Sequence, residues 1–247
     1  MFFKYRFQNF IIHLAVSAGM AILAVLLVFG VWYPSPLQDF LGVTGIFLML
    51  LGIDVILGPV FTFIISKPNK KSLKFDLSVI VLLQLSAFVY GMTVVFEGRP
   101  VWIVFSGDRF EVVQAYEVEE GYLGNAPGSF NNLSWFGPQW VGAEVPRDAE
   151  ARNELLLSSI AGGADLAQRP DLYVTYDEQR GQIIAKAHPI ADLKNNNIAS
   201  KFQQVEQAWP DADSYLPLFN RNKDREMTVL LNSATGDVVK IVDLNPW

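Results

Sequence analysis

The stretch LGVTGIFLMLLGIDVILGPVFTFII, Leu41–Ile65, decides what kind of fold this chain can adopt. It exceeds the roughly 20 apolar residues that a helix needs to cross a bilayer. Asp54 places a carboxyl group in the middle of this run. Pro59 lacks the amide hydrogen that would bond the carbonyl group four residues earlier, and Gly58 removes side-chain bulk beside it. The stretch therefore predicts a kinked membrane helix with an acid at mid-depth.

Two further apolar runs have the length of a membrane span, and the loops between the runs are short. We therefore predict a bundle of three transmembrane helices over about 11–32, 41–65 and 77–96. The first run is too long for the apolar core of a signal peptide and lacks a small-x-small cleavage site, so we expect an uncleaved anchor. The membrane region is assigned to 1–98 and a globular C-terminal domain to 99–247.

Basic residues orient the predicted helices in the lipid bilayer. Lys4 and Arg6 precede the first span, four lysines lie between the second and third, and the loop after the first span has none. The positive-inside rule then places the N-terminus in the cytoplasm and the C-terminal domain in the periplasm, if the bilayer is a bacterial inner membrane. After residue 96, twenty-two acidic residues outnumber thirteen basic ones, so we predict no nucleic-acid binding.

An aspartic acid in hydrocarbon costs roughly 2.5–3.5 kcal/mol on insertion scales, so Asp54 is expected to have a partner or a function. Gln84 of the third span is predicted at nearly the same level, where its amide would donate to the carboxyl group. Tyr90 lies higher, although its phenol could reach down, and His13 lies too close to the cytoplasmic end. Asp54 then either joins two helices as a neutral group or receives a polar group of another protein's helix. Ion transport is disfavoured because a single central acid makes a poor pathway.

The C-terminal domain is predicted to be α+β. Alternating residues in RPVWIVF and DRFEVVQAYEV predict one β-hairpin, and EMTVLLNSATGDVVKIVDLNPW predicts another. RDAEARNELLLSSIAGG and IASKFQQVEQAWP predict helices, DLYVTYD predicts a strand, and we expect an antiparallel sheet. Arg99 either reaches lipid headgroups or marks the point where Pro100 ends the last span.

The segment 121–146 is rich in glycine, asparagine, proline and aromatic residues. Its rings either pack into the core or form an exposed contact patch, for which the candidates are Phe130, Trp135, Phe136 and Trp140. The sequence has no cysteine, one histidine outside the predicted spans, and no nucleophile-elbow, Walker A or dinucleotide-binding motif. We therefore predict no catalytic residues, no metal, no cofactor and no enzymatic activity.

Several blocks of residues follow one another in a specific order and spacing between about residues 30 and 115. They are Gly52, Asp54, Gly58 and Pro59; a lysine loop closed by Phe75, Asp76 and Leu77; Gln84, Tyr90 and Gly91; and Arg99, Pro100 and DRFEVV. In this order and spacing the blocks resemble the TfpX/TfpZ family of type IV pilin accessory proteins. The resemblance implies a chaperone-like, non-catalytic inner-membrane protein that assists assembly or stability of a cognate type IV major pilin. It also implies contacts with other inner-membrane pilus assembly proteins, and it supplies no catalytic residues.

A type IV pilin waits in the membrane as one apolar helix with a charged N-terminal amine. We hypothesise that the kinked bundle holds this helix. Asp54 is deep for the amine, and Asp76 is better placed for contacts at headgroup level. The remaining candidate residues for partner binding or membrane function are Gly58, Pro59, Gln84, Tyr90 and Arg99. The alternative is a membrane-anchored enzyme that modifies pilin or envelope substrates, for which the sequence shows no polar catalytic cluster.

Overall fold

The computed structural model describes residues 2–221 and 225–247. Within this part of the chain, contacts separate two compact units. The membrane unit contains residues up to 34 and residues 42–97. The C-terminal unit contains the segment Ser35–Leu41 and the chain from Gly98 onward.

Among the described residues, three helices are long and apolar enough to cross a membrane. They are α1 (Phe2–Leu27, continued by a π-helical turn at Val28–Trp32), α3 (Val43–Ile65) and α4 (Leu73–Glu97), with the short α2 (Leu37–Phe40) between the first two. The predicted fold class, membrane helices followed by an α+β domain, is confirmed. α1 and α4 begin earlier than the apolar runs because backbone hydrogen bonding continues into the polar flanking residues.

The C-terminal unit is built on one mixed sheet, which has eight strands within the described residues. The strands are β1 (Pro100–Ser106), β2 (Arg109–Gln114), β3 (Gln139–Ala143), β4 (Tyr173–Thr175), β5 (His188–Pro189), β6 (Ser214–Phe219), β7 (Met227–Leu231) and β8 (Val238–Val242). Their spatial order is β4-β3-β1-β2-β6-β7-β8, with β5 paired to β6.

Short helices connect these strands. They are α5 (Glu120–Gly124), α6 (Ala149–Ile160), α7 (Tyr176–Lys186) and α8 (Ala199–Ala208), with 3-10 turns at Ala115–Glu117, Gly128–Asn131, Leu166–Gln168, Pro170–Leu172 and Ile190–Asn195. α7 was not predicted, although Thr175 and Glu178 form a capping box at its start. That spacing is visible in the sequence and would have located the helix.

Both predicted hairpins are present, as the antiparallel pairs β1–β2 and β7–β8. The expectation of an antiparallel sheet is wrong at two places, since β3 runs parallel to β1 and β6 runs parallel to β2. Hairpins depend on neighbouring residues and are therefore predictable. The parallel pairs join strands that lie far apart in sequence, and no local pattern fixes their direction.

Two separate clusters of buried side chains pack against this sheet. The first lies around Trp102, which packs edge-to-face against Tyr173 with ring centroids 5.1 Å apart. The second joins Phe202 of α8 to Tyr215 and Leu230 of the sheet. Long-range contacts between helices and strands thus give the C-terminal unit a core of its own.

Candidate functional site

The membrane unit contains a groove between α1 and α4. α3 packs along both of these helices, whereas α1 and α4 make almost no contact with each other. The space between them, with α3 as its floor, has a volume of about 430 Å³. This volume is within the range of pockets that take small molecules or clusters of side chains. We call this space the membrane groove.

Both apolar and polar side chains line the membrane groove. The apolar ones are Ile12, Val16, Met20, Ala21, Leu51, Leu77, Val81, Leu85 and Phe88. The polar ones are Asn9, His13, Ser17, Asp54, Thr62 and Gln84. Polar side chains within membrane spans are costly, and they usually face a bundle interior or a functional path. Their convergence makes the membrane groove the candidate functional site.

Polar contacts join α1 to the C-terminal half of α3. Arg6 Nε donates to the carbonyl oxygen of Ser66 at 2.9 Å, and Asn9 Nδ2 donates to Ser66 Oγ at 3.1 Å. One turn further along, His13 Nδ1 and Thr62 Oγ1 lie 2.6 Å apart. Residues three or four apart share a face of a helix, and both series follow that spacing. These bonds fix the register of α1 against α3 at one end of the membrane groove.

Asp54 is the middle residue of α3, eleven residues from Val43 and eleven from Ile65. The structure brings it together with Gln84, its predicted neighbour: Gln84 Nε2 donates to the carbonyl oxygen of Asp54 at 2.9 Å, and the Gln84 amide also lies within reach of the Asp54 carboxyl group. Gln84 Oε1 is buried and has no hydrogen-bonding partner of good geometry within the described residues. The pair therefore places a carboxyl group and a carboxamide side chain next to each other in the lining of the membrane groove.

Gly58 allows Gln84 to approach α3 closely. Gly58 and Pro59 are both buried, and a Cβ atom added at Gly58 would overlap the amide group of Gln84. A Cβ atom added at Gly91 of α4 would likewise overlap the side chain of Leu50. Small residues at such contacts let membrane helices pack backbone to backbone. Gly58 therefore shapes the membrane groove by positioning Gln84.

Asp76 and Tyr90 do not line the membrane groove. Asp76 Oδ2 lies 2.6 Å from Lys70 Nζ, an ion pair that ties the start of α4 to the lysine loop. Tyr90 is 73 % exposed, so the prediction that its phenol reaches toward Asp54 is wrong. Residues turn about 100° each around a helix, and Tyr90 is two residues beyond Phe88, which does line the groove. Its side chain therefore points to the opposite side of α4.

Arg99 belongs to the C-terminal unit. Its side chain is only 3 % exposed, and its Nε donates to the carbonyl oxygen of Ser134 at 2.9 Å. The expectation that Arg99 reaches lipid headgroups is therefore replaced by a structural role. The last membrane helix ends at Glu97, just before Pro100, as the alternative interpretation proposed.

The four aromatic residues of the predicted contact patch separate into two pairs. Phe130 packs edge-to-face on Tyr173, and Trp140 packs edge-to-face on Phe110, so both support the core. Trp135 is 65 % exposed and Phe136 is 84 % exposed. Of the predicted contact patch, only Trp135 and Phe136 are therefore exposed.

Buried ionisable groups of the C-terminal unit serve its packing. Burial raises the pKa of Glu111, while Arg109, with its Nε 3.1 Å from Glu111 Oε1, acts in the opposite direction. Burial also raises the pKa of Tyr173 well above its usual value, and its hydroxyl donates to the carbonyl oxygen of Ala167 at 2.6 Å. Across residues 2–221 and 225–247 no group of three His, Asp or Glu side chains is arranged to hold a metal ion.

The sequence contained a signal for the membrane groove that was missed. Asn9, His13 and Ser17 recur every four residues on α1, and so do Asp54, Gly58 and Thr62 on α3, with Ser66 directly after its end. Such spacing marks one polar or small-residue face on each helix. Only the packing of the two faces, however, shows that they adjoin the same space.

Comparison with known proteins shows similarity along almost the whole chain. The model of a family described as fimbrial assembly protein FimB matches residues 1–42. The fimbrial assembly protein of Dichelobacter nodosus serogroup I is 36 % identical over 231 residues, which cover 90 % of this chain and 88 % of that protein. The serogroup E1 protein is 34 % identical over 229 residues, with the same two coverages.

A third protein of that organism, from serogroups C1 and C2, is 41 % identical over 109 residues, 43 % of this chain and 83 % of its own length. No solved structure matches the chain. These similarities support a broader family than the TfpX/TfpZ name that the sequence blocks suggested. Because relatives more than 30 % identical align with 90 % of its length, this chain belongs to the fimbrial assembly protein family.

Proposed function

We propose that this protein is a chaperone-like, non-catalytic accessory protein of the TfpX/TfpZ type, which helps to assemble or stabilise a cognate type IV pilin in the bacterial inner membrane. The names of its relatives support a role in fimbrial assembly. The observation that carries the finer proposal is the membrane groove, whose polar side chains converge on an otherwise lipid-exposed bundle. Its occupant is the apolar membrane helix of the pilin.

The size of the membrane groove suits one face of a helix. On α1 the lining runs from Asn9 to Ala21, thirteen residues whose ends are about 18 Å apart along the helix. A volume of about 430 Å³ accommodates several side chains, so a docked helix would insert one face and leave the other to lipid. Membrane helices associate through close packing and hydrogen bonds between polar side chains. The apolar walls would supply the packing, and Asp54 and Gln84 would supply the polar contacts.

The orientation that we propose has the N-terminus and the lysine loop in the cytoplasm and the C-terminal unit in the periplasm. The distribution of basic residues supports it. The grouping of Ser35–Leu41 with the C-terminal unit also supports it, because that loop and that unit then share one side of the membrane. The folded periplasmic unit would meet the part of the pilin that projects from the bilayer.

The first experiment tests whether the membrane groove is needed for assembly. In a strain that lacks this gene, complementation with Ala21→Phe fills the groove with a bulky ring. Ile22→Phe is the matched control, because Ile22 is 61 % exposed and does not line the groove. We expect surface-sheared pilin to be restored by Ile22→Phe and lost with Ala21→Phe, at equal amounts of the two variants in the membrane.

Surface-sheared pilin and total cellular pilin are both measured on immunoblots. Their comparison distinguishes a role in pilin assembly from a role in pilin stability. Loss of surface pilin with total pilin retained indicates a role in assembly, and loss of both indicates protection of pilin from proteolysis. Equal surface pilin in the two variants contradicts a role for the groove. Unchanged surface pilin in the deletion strain itself contradicts the whole proposal, including its accessory role.

A second experiment tests contact with pilin directly. A photoreactive phenylalanine analogue replaces Val81, which lines the groove, or Leu83, which is 67 % exposed and does not. We expect a cross-link to pilin from position 81 and none, or far less, from position 83. Equal cross-linking from both positions contradicts docking in the groove.

A further inference from the structure

Three exposed aromatic side chains lie around the point where the C-terminal unit begins. They are Tyr116, Trp135 and Phe136, which are 57 %, 65 % and 84 % exposed. Monomeric proteins rarely leave neighbouring large apolar side chains in water without a function. The proposed pilin contact in the membrane groove does not involve these residues.

Hydrogen bonds tie this aromatic group to the residues that directly follow α4. Arg99 Nε donates to the carbonyl oxygen of Ser134, the residue before Trp135, at 2.9 Å. Gln114 Nε2 donates to the carbonyl oxygen of Gly98 at 2.5 Å. The hydroxyl of Tyr116 donates to Oε1 of the same glutamine at 3.1 Å. Trp135 and Phe136 are therefore anchored to Arg99 through Ser134, and Tyr116 is anchored to Gly98 through Gln114.

The distance from the end of the membrane span is consequently short. α4 ends at Glu97, and two residues of chain cover at most about 7 Å. Phe136 is likewise two residues beyond Ser134, whose carbonyl oxygen is held by Arg99. This closeness follows from covalent connection and from bonds inside the C-terminal unit, whatever the orientation of the rest of that unit.

The local sequence suits a membrane interface. Residues 121–143 contain no charged side chain, so moving this segment against lipid desolvates no ion. Gly137 has φ +64°, a left-handed conformation that ends a tight turn directly after Phe136. The amide of Phe136 also donates to Ser134 Oγ at 3.2 Å within this turn. Tryptophan and tyrosine are enriched at bilayer interfaces, because their rings are apolar and their edges are polar.

We propose that Trp135 and Phe136, together with Tyr116, which is also held to the start of the C-terminal unit, insert into the headgroup and acyl-chain boundary of the leaflet in which α4 ends. The partner of this surface is the lipid bilayer. The insertion holds the C-terminal unit against the membrane and limits its rotation about the short connection at Gly98. This function is independent of what occupies the membrane groove.

The absence of cysteine makes the test simple, because a single introduced cysteine gives one spin-labelled site. Phe136→Cys and Asp108→Cys are labelled in the full-length protein and reconstituted into vesicles of phosphatidylethanolamine and phosphatidylglycerol. Asp108 is an exposed residue of the turn at the far end of the β1–β2 hairpin. Ser106, at the end of β1, is seven residues beyond Arg99, about 23 Å along an extended strand.

Collision rates with oxygen, which concentrates in lipid, and with a water-soluble nickel chelate report the depth of each label. We expect oxygen to be the more effective at position 136 and the nickel chelate to be the more effective at position 108. Aqueous behaviour at both positions overturns the proposal. Aqueous behaviour at position 136 that changes only when pilin is added also overturns it, and assigns the surface to a protein partner.

Insertion of the native Trp135 side chain is tested by quenching of tryptophan fluorescence with lipids that carry bromine on their acyl chains. Trp135→Phe should lose a fraction of the quenched tryptophan emission, whereas Trp140→Phe, which removes a ring packed on Phe110, should leave the quenched component unchanged. An equal loss from both variants, or no loss from Trp135→Phe, contradicts insertion of Trp135.

Discussion

Replacing Asp54 by leucine should make α3 a better membrane helix and the protein a poorer assembly factor. A residue retained only for packing would not show such opposite effects. Asp54 lies at the centre of α3 and lines the membrane groove, where the proposed pilin helix docks. The opposition between insertion and activity is therefore a specific consequence of the proposed function.

The magnitude of the insertion effect follows from this central position. On biological insertion scales aspartic acid at the middle of a span costs roughly 2.5–3.5 kcal/mol, whereas leucine contributes about −0.3 to −0.6 kcal/mol. The substitution should therefore favour insertion of α3 by about 3–4 kcal/mol. Since about 1.4 kcal/mol corresponds to a tenfold change, the insertion equilibrium should shift on the order of several hundredfold.

Two assays are needed. The segment Val43–Ile65, flanked by glycosylation sites, is inserted into microsomes to measure its apparent insertion free energy. Surface-sheared and total pilin are then measured in a deletion strain that expresses each full-length variant. Ile56→Leu is the control, because Ile56 is 59 % exposed and does not line the groove. It should leave both measurements unchanged.

We expect Asp54→Leu to reduce surface pilin strongly and Asp54→Asn, which keeps a polar group of the same size, to retain most of it. If Asp54→Leu and Asp54→Asn both support pilin assembly as well as the unsubstituted protein does, Asp54 takes no part in binding the pilin helix. If Asp54→Leu fails to improve insertion, the mid-depth position assigned to this residue is wrong.

Two further predictions concern the stability of the separate units. Gly58→Ala should lower the free energy of unfolding of the membrane unit in detergent by about 1 kcal/mol relative to Gly52→Ala, because the added methyl group displaces the amide of Gln84 and breaks its hydrogen bond to the carbonyl oxygen of Asp54; Gly52→Ala is the control, because its added atom meets no neighbour within 4 Å. Asp213 accepts hydrogen bonds of 2.6 Å from both Oγ and the backbone N of Ser233, which hold its pKa below the usual value. A carboxyl group whose pKa is lower in the folded state stabilises that state at pH values above its unfolded pKa. Asp213→Ala should therefore lower the free energy of unfolding that is measured in urea at pH 7. The difference in this free energy between the variant and the unsubstituted protein should shrink as the pH falls below about 4. A difference that is independent of pH would contradict this assignment.

Local patterns predicted the elements that depend on neighbouring residues. Alternation around the Gly107 turn and the SATGD turn gave the two hairpins, and α6 and α8 followed from helical composition with glycine or proline at their ends. β3 was missed because it lies within a segment rich in glycine and proline, where tertiary pairing with β1 outweighs local propensity. Tyr90 was misplaced because depth along a helix was considered without its direction around the helix axis.

By itself the sequence determined that three apolar runs are long enough to span a membrane, which loops carry the positive charge, and that Asp54 lies in the middle of the second run. Apolar run length and charge distribution are sufficient for these conclusions, because the bilayer imposes them on any chain. Only the tertiary structure decided that α1 and α4 flank α3 without closing on each other, that Arg99 turns inward, and that Trp135 and Phe136 remain exposed. These outcomes depend on which faces of separate elements pack together, and residues distant in the sequence determine that choice.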